Sequence, residues 1–135
     1  MPIFICQGRY TANALKGMTT NPENRSQTVR TLFRAAGGEL LNWYLTFGDY
    51  DWMVIAEMPD ERAMLSAVIA AAEGGSLTDL KTTIALSAED TVQAFQEAGR
   101  LRTSFMSAGQ KGSAKQARSG PGASAETARG RKQRE

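Results

Sequence analysis

The sequence contains no histidine and a single cysteine, Cys6, among its 135 residues. Without histidine the chain lacks the ordinary haem ligand, the commonest zinc ligand and the most frequent general base. One cysteine cannot close an internal disulfide or join a Cys–His nucleophile pair, and such usage fits a reducing compartment. No apolar run approaches the roughly 20 residues needed to cross a bilayer. The opening Met1-Pro2-Ile3-Phe4-Ile5-Cys6 carries no basic leader, so it reads as the start of a strand and a cytoplasmic location is expected. No phosphate-cradling glycine loop and no metal-ligand spacing occur, and neither metal nor cofactor is expected.

Charge is present but unevenly placed. Residues 1–99 carry seven Lys and Arg against twelve Asp and Glu, a net −5, whereas residues 100–135 carry nine against two, a net +7. The sequence thus divides into an acidic body, 1–99, and a basic tail, 100–135. The tail is rich in Gly, Ser, Ala, Gln, Lys and Arg and has no large apolar residue after Met106. It cannot bury enough surface to offset its ordering entropy, and disorder is expected there.

Within the body, residues 3–10 are β-rich and unbroken, which predicts a first strand. Asn21-Pro22-Glu23 is a helix-start signal. Val29, Leu32, Phe33 and Ala36 follow at i, i+3, i+4 and i+7 until Gly37-Gly38 ends the helix. Residues 39–47 alternate, with Leu41, Trp43, Leu45 and Phe47 on one face and Leu40, Asn42, Tyr44 and Thr46 on the other. Gly48-Asp49-Tyr50-Asp51 is turn chemistry, and Trp52 to Met58 completes a β-hairpin. Pro59-Asp60 opens a second helix with an apolar stripe of Met64, Leu65, Val68, Ile69 and Ala72. Residues 77–86 form a fourth strand, and Ser87 to Asp90 opens a short third helix ending near Gly99. The order implies an α+β, ferredoxin-like βαββαβ fold, a four-stranded antiparallel sheet with helices on one face.

The run Tyr44 to Asp60, with Gly48, Tyr50 and Asp51 at its turn, resembles the signature of the GYD family, named for its Gly-x-Tyr-Asp hairpin. The first strand, Gly37-Gly38-Glu39-Leu40 and Leu80-Lys81-Thr82-Thr83 match as well, so the resemblance spans about residues 2–97. It implies a ferredoxin-like domain of the dimeric α/β-barrel type and leaves activity open, the family being largely of unknown function. The hairpin is more loosely similar to the ligand-sensing domain of leucine-responsive transcription regulators. Those domains pair sheet faces between subunits to bind small effectors, but here no helix-turn-helix precedes the hairpin. At the turn itself a structural role is expected: Gly48 supplies a positive φ, Asp51 accepts backbone hydrogen bonds and Tyr50 packs across the hairpin.

Alternation places Phe4, Cys6 and Gly8 beneath the helices. The other side of the sheet then carries Ile3, Ile5, Gln7 and Arg9 with Met53, Ile55 and Glu57, and with Asp79, Lys81 and Thr83. Arg9 is expected opposite Asp79 as a cross-strand ion pair. That face suits either a ligand pocket or the interface of a dimer. Its candidate ligand-binding residues are Arg9, Gln7, Tyr44, Glu57 and Lys81, whose cations favour a small anionic metabolite. The expected function is a homo-oligomeric, small-molecule-binding protein without intrinsic catalysis, a dimer or an assembly of dimers. Alternatives are a cofactor-independent enzyme using Asp51, Tyr44 or Glu57 for proton transfer, and an adaptor whose basic tail recruits nucleic acid or another anionic partner. Weak polyanion contact through the tail, and no membrane partner, are expected.

Overall fold

The structure, a computed structural model, describes residues 1–109, so most of the tail expected to be disordered lies outside the described residues. In chain order the elements are β1 (Ile3–Tyr10), α1 (Ala12–Thr20), α2 (Arg25–Ala35), β2 (Glu39–Leu45), β3 (Trp52–Glu57), α3 (Glu61–Ala72), β4 (Leu77–Ala85) and α4 (Ala88–Leu101), followed by a 3-10 turn at Arg102–Ser104. They divide between two compact units, Met1–Leu86 and a second that begins at Ser87. The first unit is a four-stranded antiparallel sheet in the order β2-β3-β1-β4. Its fold is the expected ferredoxin-like βαββαβ arrangement with one helix added, α1.

The predicted alternation of β1 and β3 is observed. Phe4, Cys6, Trp52, Val54 and Ala56 are buried, and they pack with Phe33 of α2 and with Met64 and Ala67 of α3. The α2 stripe also holds, with Val29, Leu32 and Ala36 packed on that core. Its start differs from expectation: Asn24, not Asn21, is the cap, its side chain accepting from Ser26 N–H at 3.0 Å. Asn21 instead closes α1, a helix with no acidic residue in its first turn. Thr11 starts α1 by accepting from Ala14 N–H at 3.2 Å, and no residue of the helix is buried.

On α3, Asp60 caps as expected, accepting from Ala63 N–H at 2.9 Å. Its inward stripe is narrower than predicted, however. Leu65 and Ile69 are exposed, and the small Ala67 is buried in their place. Ser87 caps α4 by accepting from Asp90 N–H at 3.1 Å, and that helix runs to Leu101 instead of stopping near Gly99. Along α4, Val92, Phe95 and Leu101 remain exposed.

Two bulges revise the predicted sheet faces. In β2 the pairing steps from Leu40↔Ala56 to Asn42↔Ile55, so Leu41 is an extra residue. The insertion turns Leu40 inward to join Trp43: Leu40 is 3% exposed and Leu41 42%. In β4 the pairing steps from Gln7↔Lys81 to Arg9↔Thr78, leaving Asp79 and Leu80 opposite Gly8. Asp79 has φ +54°, in the left-handed region. Arg9 therefore faces Thr78, and the expected Arg9–Asp79 pair is not among the salt bridges of the described residues.

Candidate ligand-binding cavity

A cavity of about 790 Å³ opens between the inner face of the sheet and the three helices of the first unit. Its floor is Cys6, Trp52 and Val54 of the sheet with Trp43 from β2; its sides are Val29, Leu32 and Phe33 of α2 and Val68 of α3. Small residues make up much of the remaining lining, with Ala14 and Gly17 of α1 beside Asn13 and Met18, Ala70 and Ala71 of α3, and Gly74 beyond it. Gly17 is an exposed residue of this lining; a Cβ there would meet no atom within 4 Å, and the position needs no positive φ, so a side chain can be added without a clash.

Polar groups gather at one end. Tyr10, the last residue of β1, lines the cavity together with Asn13, Glu23 and Arg25. Burial pushes the Tyr10 phenol above its ordinary pKa; the Arg25 charge opposes that shift and the Asp51 carboxylate adds to it. Arg25 is ion-paired with Glu23, both side chains being partly open to solvent. Cys6 is 3% exposed, and burial raises its thiol against a smaller opposing effect from Thr82, whose hydroxyl donates to Sγ at 3.4 Å. Trp52 is 5% exposed, and its Nε1 is buried without a hydrogen-bond partner.

The hairpin motif holds this end of the sheet in shape. Gly48 has φ +124°, a conformation that L side chains rarely adopt. Thr46 N–H donates to the Asp51 carbonyl and the Thr46 hydroxyl to the Tyr50 carbonyl, each at 2.8 Å. Asp51 N–H donates to the Gly8 carbonyl at 2.8 Å, and Asp51 Oδ2 accepts from Tyr10 N–H at 2.9 Å. The carboxylate thus reaches out of its own turn to the backbone of β1, at the residue that enters the cavity.

The five residues expected to bind a ligand lie elsewhere, on the sheet face away from the helices. Tyr44, Met53, Gln7 and Lys81 form one cross-strand row. Glu57 lies in another row, beside Glu39 and Ile3, and Arg9 pairs with Thr78. Gln7 and Lys81 are thus neighbours and Tyr44 shares their row, while Arg9 and Glu57 stand apart at opposite ends of β1. Tyr44 is half exposed, and its hydroxyl accepts from Asn42 Nδ2 at 3.2 Å. None of the five lines the cavity. The cavity residues escape a sequence reading because Gly74-Gly75 signals a helix stop, and a void has no residue of its own. The available signal is the run of alanine and glycine at positions 67, 70, 71, 74 and 75.

Among the described residues no group of three or more His, Cys, Asp or Glu gathers to hold a metal ion. No helix of the described residues is long and apolar enough to cross a membrane. Solved structures similar to the chain include the Thermus thermophilus protein TTHA0845, at 16% identity and TM-score 0.44, covering 65% of this chain and 96% of that one. Another is the hypothetical protein PHS023 of Pyrococcus horikoshii, at 16% and 0.42, covering 64% and 92%. A third is the Neisseria meningitidis transcriptional regulator NMB0573 in its L-Met complex, at 14% and 0.38, covering 64% and 51%. No curated protein matches the chain. The GYD domain model matches residues 4–95, a span that takes in all four strands but for Ile3, together with the Gly48–Asp51 turn, and the chain belongs to the GYD domain family.

Proposed function

We propose that this GYD-domain protein binds a small molecule between its helices and its sheet, without catalysing a reaction, and works as a homo-oligomer. The observation that carries this reading is the cavity: about 790 Å³, lined mostly by apolar and aromatic side chains with a few polar groups at one end. Those are the dimensions and composition of a small-molecule site. The reactive groups in its wall argue against chemistry. The Cys6 thiol and the Tyr10 phenol are both held toward their protonated forms, and Glu23 is committed to Arg25. Of the residues suited to a cofactor-independent enzyme, Asp51 is engaged by the Tyr10 backbone, and Tyr44 and Glu57 occupy different rows of the opposite face. Oligomerisation is supported by that face, where Ile3, Ile5, Met53 and Ile55 are only partly covered.

Native mass spectrometry of the full-length protein tests the reading. The expected result is an organic adduct, or uptake of one from a metabolite extract, that Gly17→Leu abolishes. Leucine suits a helix better than glycine and would project into open space. A protein that takes up nothing, or takes up the same compound in the Gly17→Leu variant, would refute the cavity as the site. Sedimentation at micromolar concentration giving only monomer would refute the oligomer.

A further inference from the structure

We infer that the cavity selects an uncharged, largely apolar, ring-bearing ligand and discriminates against anions; this rests on the reading of the cavity as a binding site. The charged groups at its polar end are Arg25 and Glu23, and they are ion-paired with each other. An anion entering there must either displace Glu23 from Arg25 or lie beside a carboxylate. Both are modestly unfavourable even at this partly solvent-open pair, because the one cation lining the cavity already holds a carboxylate. The surrounding field acts in the same direction. Residues 1–86 carry seven Lys and Arg against nine Asp and Glu. Arg9 and Lys81, the cations that pointed to an anionic metabolite, lie on the other side of the sheet.

A neutral ligand meets no such penalty. Tyr10, Phe33, Trp43 and Trp52 give the cavity four aromatic side chains, well matched to a ring system stacked or packed edge-to-face.

Two fluorescent probes that share a ring system and differ by one sulfonate test the inference on the full-length protein. They are 1-N-phenylnaphthylamine, which is neutral, and 8-anilinonaphthalene-1-sulfonate, which is anionic. Binding is read as energy transfer from tryptophan, with Gly17→Leu marking the part of the signal that comes from the cavity. The expected result is Gly17→Leu-sensitive binding of the neutral probe, tighter than that of the anion by about three- to five-fold, the size of effect expected at a partly solvent-open ion pair. Glu23→Gln, which leaves Arg25 without its partner on an open part of the surface, should narrow that gap several-fold by strengthening the anionic probe alone. Equal or tighter cavity binding of the anion by the unmodified protein would overturn the inference and leave the binding site standing. A gap unchanged in Glu23→Gln would overturn its electrostatic basis. Binding of neither probe, or binding indifferent to Gly17→Leu, would remove the site and the inference together.

Discussion

Gly8→Ala is a single-methyl perturbation whose consequence can be worked from the geometry. Gly8 sits in β1 opposite Trp52, and an added Cβ would lie 2.5 Å from Cζ2, 3.0 Å from Cε2 and 3.1 Å from Cη2 of the indole. The first distance is shorter than any real Cβ contact. Trp52 is 5% exposed, so its ring has no way out to bulk solvent, and a shift toward the cavity it lines would give up its packing in the core cluster. Overpacking of this kind costs about 1–3 kcal/mol. Replacing glycine within a strand returns roughly 0.5–1 kcal/mol through the unfolded chain. The net expectation is a loss of up to about 2.5 kcal/mol, centred on about 1, which for a domain of this size lowers Tm by about 4–8 °C at the centre of that range. Circular-dichroism melts with matched urea titrations measure it. The control is the double variant with Trp52→Phe, which removes the atoms that clash. Its loss should fall short of the sum of the single losses by about 1 kcal/mol or more. A Gly8→Ala protein that melts at or above the parent temperature, or strictly additive losses, would refute the packing argument.

Asp51→Ala removes the acceptor of Tyr10 N–H and should lower stability by about 1–2 kcal/mol, seen as a lower urea midpoint at unchanged slope. Asp79→Val, which places a β-branched residue at φ +54°, should destabilise by about 1–3 kcal/mol, whereas Asp79→Gly should melt no lower than the parent; thermal melts separate the two. The Glu39 carboxyl is held below the usual carboxylate range by its hydrogen bonds from Arg34, at 3.0 and 3.1 Å. A depressed carboxyl favours the folded state above its unfolded pKa, and that contribution fades as pH falls through the lower, folded value. The urea midpoint should therefore drop between neutral and strongly acidic pH by slightly more in the parent than in Glu39→Gln, an effect that salt reduces because the pair is exposed.

Much of the scaffold was legible because it rests on periodicities that side chains announce. The two-residue repeat of Phe4, Cys6 and Gly8 and of Trp52, Val54 and Ala56 located the inner face of the central strands. The caps Asp60 and Ser87 marked their helices correctly. What escaped notice breaks periodicity or lacks side chains. Leu41 inserts one residue into an otherwise perfect alternation, and only pairing with β3 shows which neighbour turns inward. Asp79 does the same in β4, which is why the Arg9–Asp79 register failed. Helix α1 is short, contains Gly17 and buries no residue, so it was passed over between the first strand and the Asn21-Pro22-Glu23 signal. The cavity followed α1 into obscurity, because part of its lining is that helix together with the small residues of α3.

The two bulges share a position: β2 and β4 are the outermost strands of the sheet, and each has one. An outer strand presents unpaired amides and carbonyls that a neighbouring chain can extend into a continuous ribbon. A bulge interrupts that row of hydrogen-bonding groups and bends the strand, so an incoming segment cannot stay in register along its length. Lys81 and Asp79 add charges to the exposed margin of β4, which would be stacked against their own copies in a ribbon of identical chains. Protection against fibrous polymerisation is therefore built into the same two irregularities that set the faces of the sheet. Deleting Leu41 would restore a regular, addressable margin, and turbidity or thioflavin fluorescence would then rise under conditions in which the parent chain stays clear.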